Sequence, residues 1–190
     1  MRIRRAIPIL VAMLLTGCSL LSRSQSRFYS LEPIPGPVAN VRGTPIGIGS
    51  VELPPGFDRR EIVVRTADHQ LDVRGTEQWA ASLEPMVKHT LAFDLAGRLP
   101  EGMVILPGAT KQNGPTRSIE IALEEIAAGP DAKLVLDARW SLRQSGAPDV
   151  TRHERIAVDI ASLDSTNIAS GMSQALATLA DRIVAGLTAR

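Results

Sequence analysis

Aromatic side chains make up only 3% of the 190 residues, and there is a single cysteine, Cys18. One thiol cannot form an intrachain disulfide, so a small scaffold stapled by disulfides is excluded. No apolar stretch approaches the roughly 20 residues that a transmembrane helix needs. Neither sign of charge dominates, since 21 basic and 20 acidic residues leave +1. With so few aromatics and so even a balance, there is no basic, aromatic-studded stripe of the kind that reads nucleic acid, and no nucleic-acid partner is expected.

What is present begins at the N-terminus. Arg2, Arg4 and Arg5 precede an apolar run at residues 6–15, which is the pattern of a secretory signal peptide and too short to span a bilayer. Leu15-Thr16-Gly17-Cys18 closes that run with the shape of a bacterial lipobox. In such a box a small residue admits the peptidase to the bond before a cysteine that already carries diacylglycerol. Cys18 is therefore the expected lipidation site, bearing a covalent diacylglycerol and an N-acyl chain, with no other cofactor. More than one acyl chain gives stable anchoring at about 0.8 kcal/mol per buried methylene. Ser19 rather than an aspartate follows, and by bacterial sorting rules this favours the outer membrane. Cleavage removes three arginines and takes the formal charge from +1 to −2.

Three parts are expected: a signal peptide at 1–17, a lipidated N-terminus and polar tether at 18–27, and one domain at 28–190. Fully extended, the tether reaches roughly 30 Å. Strands are expected at residues 28–31, 46–53 and 62–64, with 70–74 pairing back as a short hairpin. In 46–53 the apolar residues do not separate into two faces, which predicts a strand buried on both sides. Trp79, Leu83, Val87, Leu91 and Leu95 recur every four residues and predict a helix over 79–99. Pro85 conflicts with this unless the regular helix begins near Ser82. A short strand at 103–106 precedes runs at 117–127, 133–144 and 152–160, separated by Gly-Pro-rich turns as in an antiparallel meander. In the first run Glu125 shares a face with Ile119, Ile121 and Leu123. Residues 164–167 are helix-capping types, and Met172, Leu176, Leu179, Ile183 and Leu187 mark a final amphipathic helix with Ser173 on its polar side. The expected fold is α/β in the α+β sense, a single mixed, largely antiparallel sheet with two principal helices packed on it.

Catalytic constellations are missing. Ser173 in Gly171-Met172-Ser173-Gln174-Ala175 approaches a nucleophile elbow, yet no histidine follows it and it falls on a helix rather than a strand-to-helix turn. His69, His89 and His153 sit at no metal-ligand spacing, and Glu124-Glu125 reads as a solvated face, so no metal and no enzymatic activity are expected. Gly47 and Gly49 lie inside a strand and mark close packing rather than a phosphate cradle. The unusual stretch is the proline-glycine loop after Pro54, which displays Phe57, Asp58, Arg59 and Arg60. Loops on a rigid scaffold carry recognition, which makes these four the candidate partner-binding residues, with Phe57 tucked onto the core as the structural alternative.

The lipobox, the opening Phe28-Tyr29-Ser30-Leu31, the stretch from Ile46 to Pro54 running through Asp58-Arg59 to Arg65, Trp79-Ala80 with Leu83, and the final Ala175-Leu176 to Leu179-Ala180 helix together resemble the ABC-type transport auxiliary lipoproteins of the paraquat-inducible protein C type. The position of Pro85 after Glu84 departs from that pattern. The resemblance implies a non-enzymatic lipoprotein on the periplasmic face of the outer membrane of a Gram-negative bacterium. It implies a part in intermembrane lipid transport, docking a periplasmic MCE-domain partner of an ABC system. The alternative is a lipid carrier with an apolar cavity lined by Leu91, Phe93, Met172 and Leu176.

Overall fold

The structure, a computed structural model, describes residues 25–66, 70–109 and 117–188. Cys18, the signal peptide, most of the tether and His69 lie outside these. The elements are β1 (Arg27–Tyr29), β2 (Ile46–Glu52), β3 (Glu61–Arg65), β4 (Leu71–Trp79), α1 (Leu83–Ala96), β5 (Val104–Ile105), β6 (Arg117–Ala128), β7 (Lys133–Gln144), β8 (Val150–Asp159) and α2 (Ser165–Thr188). All eight strands join one curled sheet, and α1 and α2 pack on it and on each other. Among the described residues no helix is long and apolar enough to cross a membrane.

β6, β7 and β8 form the expected antiparallel meander, and β3 with β4 forms the expected hairpin. The sheet is nonetheless more evenly mixed than expected, because β1–β4, β2–β5, β2–β6 and β3–β6 are parallel pairs. Tight turns force antiparallel neighbours and announce themselves in sequence, whereas long connections allow parallel ones and do not. β2 and β3 run along the same edge of β6 in succession. β2 pairs with the stretch from Arg117 to Ala122, and Val64 of β3 meets Ala128 at the end.

Bulges explain two misread faces. β2 is not buried on both sides: its register slips between Ile48 and Val51, so Ile46, Ile48 and Val51 all turn inward while Gly49 and Ser50 face solvent. A Cβ on Gly49 would lie 2.2 Å from the Glu120 carboxylate, which accepts from Ser50 N at 2.9 Å and from Ser118 Oγ at 2.7 Å. These bonds, that of the Ser50 hydroxyl first, hold the Glu120 carboxyl below the usual range. β6 slips between Leu123 and Glu125, which sends Glu125 outward and Ile126 into the core.

Trp79 is not helical. It ends β4, buried at 2% exposure, with its N–H donated to Arg60 O at 2.6 Å, and strand pairing with β3 and β1 overrides the four-residue spacing. Ser82 then takes the N-cap position of α1 without a side-chain capping bond, and Pro85 falls in the first turn, where no intrahelical bond is lost. In α2 the Asp164 carboxylate accepts from Asn167 N at 2.8 Å, as an N-cap does.

The inward face of β7, Leu134, Leu136, Ala138 and Trp140, meets α2. Contact is close because Gly186 faces the Trp140 ring, where an added Cβ would come within 2.8 Å. Gly186→Ala gains about 1 kcal/mol of helix propensity but forces about 1–3 kcal/mol of overpacking against a rigid indole. The expected result is a lower melting temperature than wild type in thermal unfolding, and an unchanged or higher one would mean that the helix shifts freely.

Candidate docking surface

Pro54, Gly56 and their neighbours build a tight loop between β2 and β3. Phe57 N donates to Pro54 O at 3.2 Å, Arg59 N to Phe57 O at 2.8 Å, and Gly56 takes φ +87°, which disfavours any residue with a side chain. Phe57 is 7% exposed, so its ring roots the loop in the core and is closed to a partner. Arg59 Nε lies 3.3 Å from Glu61, and Arg60 donates to Ala80 O at 3.2 Å. Asp58, Arg59 and Arg60 remain on the surface.

Asp58 also lines a cleft of about 380 Å³ with Val51, Glu52, Leu53 and Glu84. Three carboxylates around an apolar floor make this an acidic recess. On the other flank Leu71 Cδ1 would lie 3.5 Å from a Cβ on Gly56, and Leu71 and Val73 are unusually open for their type, at 42% and 38% exposure. β1 covers β4 only from Glu77 onward, so among the described residues the preceding part of β4 has a bare outer edge. The sequence reading missed Glu52, Glu84, Leu71 and Val73. The alternation of Leu71 and Val73 with Asp72 and Arg74 is a signal for an apolar strand face, but it does not say which face stays uncovered.

The residues of the carrier alternative are placed otherwise. Leu91, Met172 and Leu176 are fully packed in the core, whereas Phe93 is 38% exposed, 4.6 Å from the His89 ring. Neither the cleft of about 430 Å³ beside Val38, Leu99 and Leu106 nor that of about 370 Å³ beside Phe28, Tyr29 and Ser173 is lined by Leu91, Met172 or Leu176. Ser173 is buried rather than on a polar face, because the segment after β1 lies over it. Its hydroxyl donates to Ala169 O at 2.9 Å and accepts from Glu32 N at 3.1 Å, which leaves it tied structurally.

That segment, a strap from β1 to β2, is clamped onto the helices. Ile34 N donates to Asp94 Oδ1 at 2.7 Å, Arg98 donates to Ile34 O at 2.7 Å and to Asp181 at 2.6 Å, and Ala39 N donates to Arg98 O at 2.8 Å. Gly36 passes so close over the guanidinium that a Cβ would lie 2.7 Å from it.

The family model described as "ABC-type transport auxiliary lipoprotein component" matches residues 29–184. The chain belongs to this family. The fold of this family member is also that of solved structures. A crystal structure of an uncharacterized protein superposes with a TM-score of 0.70 at 15% identity, over 86% of this chain and 99% of that one. One from Xanthomonas campestris, of the DUF330 family, gives 0.66 at 15% identity, over 84% and 93%. Comparison with curated proteins finds no match.

Burial pushes the Asp94 carboxyl up to about 6, against the Ile34 N–H bond and Arg98, which lower it, and with Asp181, which raises it further. A raised carboxyl is proton-bound in the native state where the unfolded chain has already lost its proton. Its stabilising contribution is complete below the unfolded value of 3.8 and lost as pH rises through about 6. Ionised Asp94 therefore costs about 3 kcal/mol at neutral pH. Asp94→Asn keeps an acceptor for Ile34 N and does not titrate. In urea unfolding, the stability of the variant relative to wild type should climb between pH 4 and pH 7 by up to about that amount. A constant difference across the range would count against the buried-carboxylate account.

Proposed function

We propose that the domain is the outer-membrane, periplasm-facing docking component of its ABC transport system, held by lipid on Cys18, and that it grips a periplasmic MCE-domain protein through the loop at 54–60 with the adjoining acidic cleft and the Leu71–Val73 face. The observation that carries this reading is the loop itself. It is rooted by Phe57, braced by Arg60 on Ala80, and displays charge beside exposed apolar side chains on a domain whose interior is filled by its own residues. A pre-formed surface of this kind binds without first ordering a loop, which saves binding free energy. Glu52, Asp58 and Glu84 suit a partner segment with basic residues flanking apolar ones. Acylation adds effective concentration by holding the domain at one membrane. Transport of lipid is the system's work on this reading, and the domain performs no catalysis.

Crosslinking in the periplasm with the Cys18→Ala form, followed by capture and mass spectrometry, should recover an MCE-domain protein. Asp58→Arg combined with Glu84→Arg should reduce that recovery several-fold without altering thermal stability. Recovery of no MCE-type protein would remove the support for the partner, and equal recovery from the double variant would remove it for this surface. Native mass spectrometry of the purified domain should show no bound lipid, and stoichiometric lipid would favour the carrier instead.

A further inference from the structure

Three adjacent strands bring one histidine and two carboxylates together on the sheet face turned away from the helices. Asp137 pairs with Glu125 across β6–β7, and His153 pairs with Arg139 across β7–β8, which sets His153 diagonal to Asp137. His153 Nε2 lies 2.5 Å from Asp137 Oδ1 and 3.5 Å from Glu124 Oε2, and the three atoms fall within 4.8 Å of one another. The histidine spacing that carries no ligand signal in sequence thus becomes a ligand-like cluster across strands.

Each carboxylate uses its far oxygen elsewhere. Asp137 Oδ2 accepts from Arg155 at 2.7 Å, Glu124 Oε1 accepts from Arg139, and Arg155 also reaches Glu125 at 3.2 Å. The near oxygens are left pointing toward the imidazole. Asp137 is 9% exposed, and its Oδ1 is buried and accepts no hydrogen bond from the described residues, the nearby Nε2 being poorly aligned to donate one. An enclosed carboxylate oxygen with no aligned donor is costly unless a cation faces it.

We propose that Glu124 Oε2, Asp137 Oδ1 and His153 Nε2 bind a divalent transition-metal ion of the Zn²⁺ class, with the fourth position open to water. One imidazole and two carboxylates fit a borderline ion better than Ca²⁺ or Mg²⁺, which take oxygen ligands. Tetrahedral bonds of about 2.0–2.1 Å place donor atoms roughly 3.4 Å apart. The Glu124–His153 separation already matches, and Asp137 must withdraw by less than about 1 Å. Arg139 and Arg155 orient the carboxylates from outside, as outer-shell partners do.

The test uses the untagged protein carrying Cys18→Ala, which also removes the only thiol, titrated with Zn²⁺ by calorimetry and with Co²⁺ by visible absorption. One equivalent should bind saturably, and Co²⁺ should give the intense band of four-coordination. His153→Gln and Asp137→Asn should each weaken binding at least about ten-fold. His89→Ala and Asp159→Asn should leave it unchanged. Because His153 is half exposed, its variant should unfold at the wild-type temperature without metal. Absence of saturable binding, or equal binding by wild type and His153→Gln, would overturn the proposal and leave a polar cluster held by Arg139 and Arg155.

Discussion

One edge of β6 has to serve two strands, and most of the architecture follows from that constraint. β2 occupies the first part of the edge and β3 reaches only its last residue, so the chain must leave the sheet between them and return in the same direction. The loop at 54–60 is that departure. The inner side chains Ile119, Ile121, Leu123 and Ile126 must nevertheless stay on one buried face. A strand with strict alternation would turn Glu125 toward the helices and Ile126 outward. The bulge after Leu123 repairs this, and it leaves Glu124 and Glu125 together on the outer face. Arg65, Arg139, Arg155 and His153 gather around these two carboxylates and Asp137. A packing requirement on the inside has therefore written the charge pattern on the outside.

The strap presents the opposite problem, charge taken inside. Arg98 is buried at 3% exposure and satisfies its donors on Ile34 O, Asp94 O and the Asp181 carboxylate. Asp94 is worse placed, since Oδ2 has no hydrogen-bond partner among the described residues and Arg98 stays 3.8 Å from Oδ1. An apolar residue there would pack at less cost, but it could not accept from Ile34 N. The pair thus specifies where the strap crosses the helices rather than adding net stability.

What the sequence made legible was local. Gly-Pro turns marked the meander, the Asp164 cap marked α2, and alternation marked the inner face of β7, because each signal is set by neighbours in the chain. The bulges at Ser50 and Glu124 were invisible, since a slip of register depends on the partner strand. Trp79 kept its expected burial but changed element, because Arg60 O accepts from its backbone N–H and Tyr29 O from that of Ala80, partners that a helix spacing cannot compete with. Of the candidate site, the loop was legible from its prolines and glycine, and the depth of Phe57 was foreseen as the structural alternative. The acidic cleft was not, because Glu52, Asp58 and Glu84 come from three separate elements, and no spacing within one segment encodes it.

β3 joins the two surface features. The strand is only five residues long, yet Ile62, Val63 and Val64 are all buried. At its start Arg60 braces the loop, and at its end Arg65 pairs with Glu125 at 2.5 Å on the outer face. Ile62 to Arg65 pair residue by residue with Arg74 to Leu71, and a register shift separates that run from Glu61, which meets Gln78. Loop and charged cluster therefore sit at the two ends of one short, buried strand of the same sheet. On the docking proposal, specificity comes from the match of acidic recess and apolar rim, which the start of this strand and its neighbours present side by side.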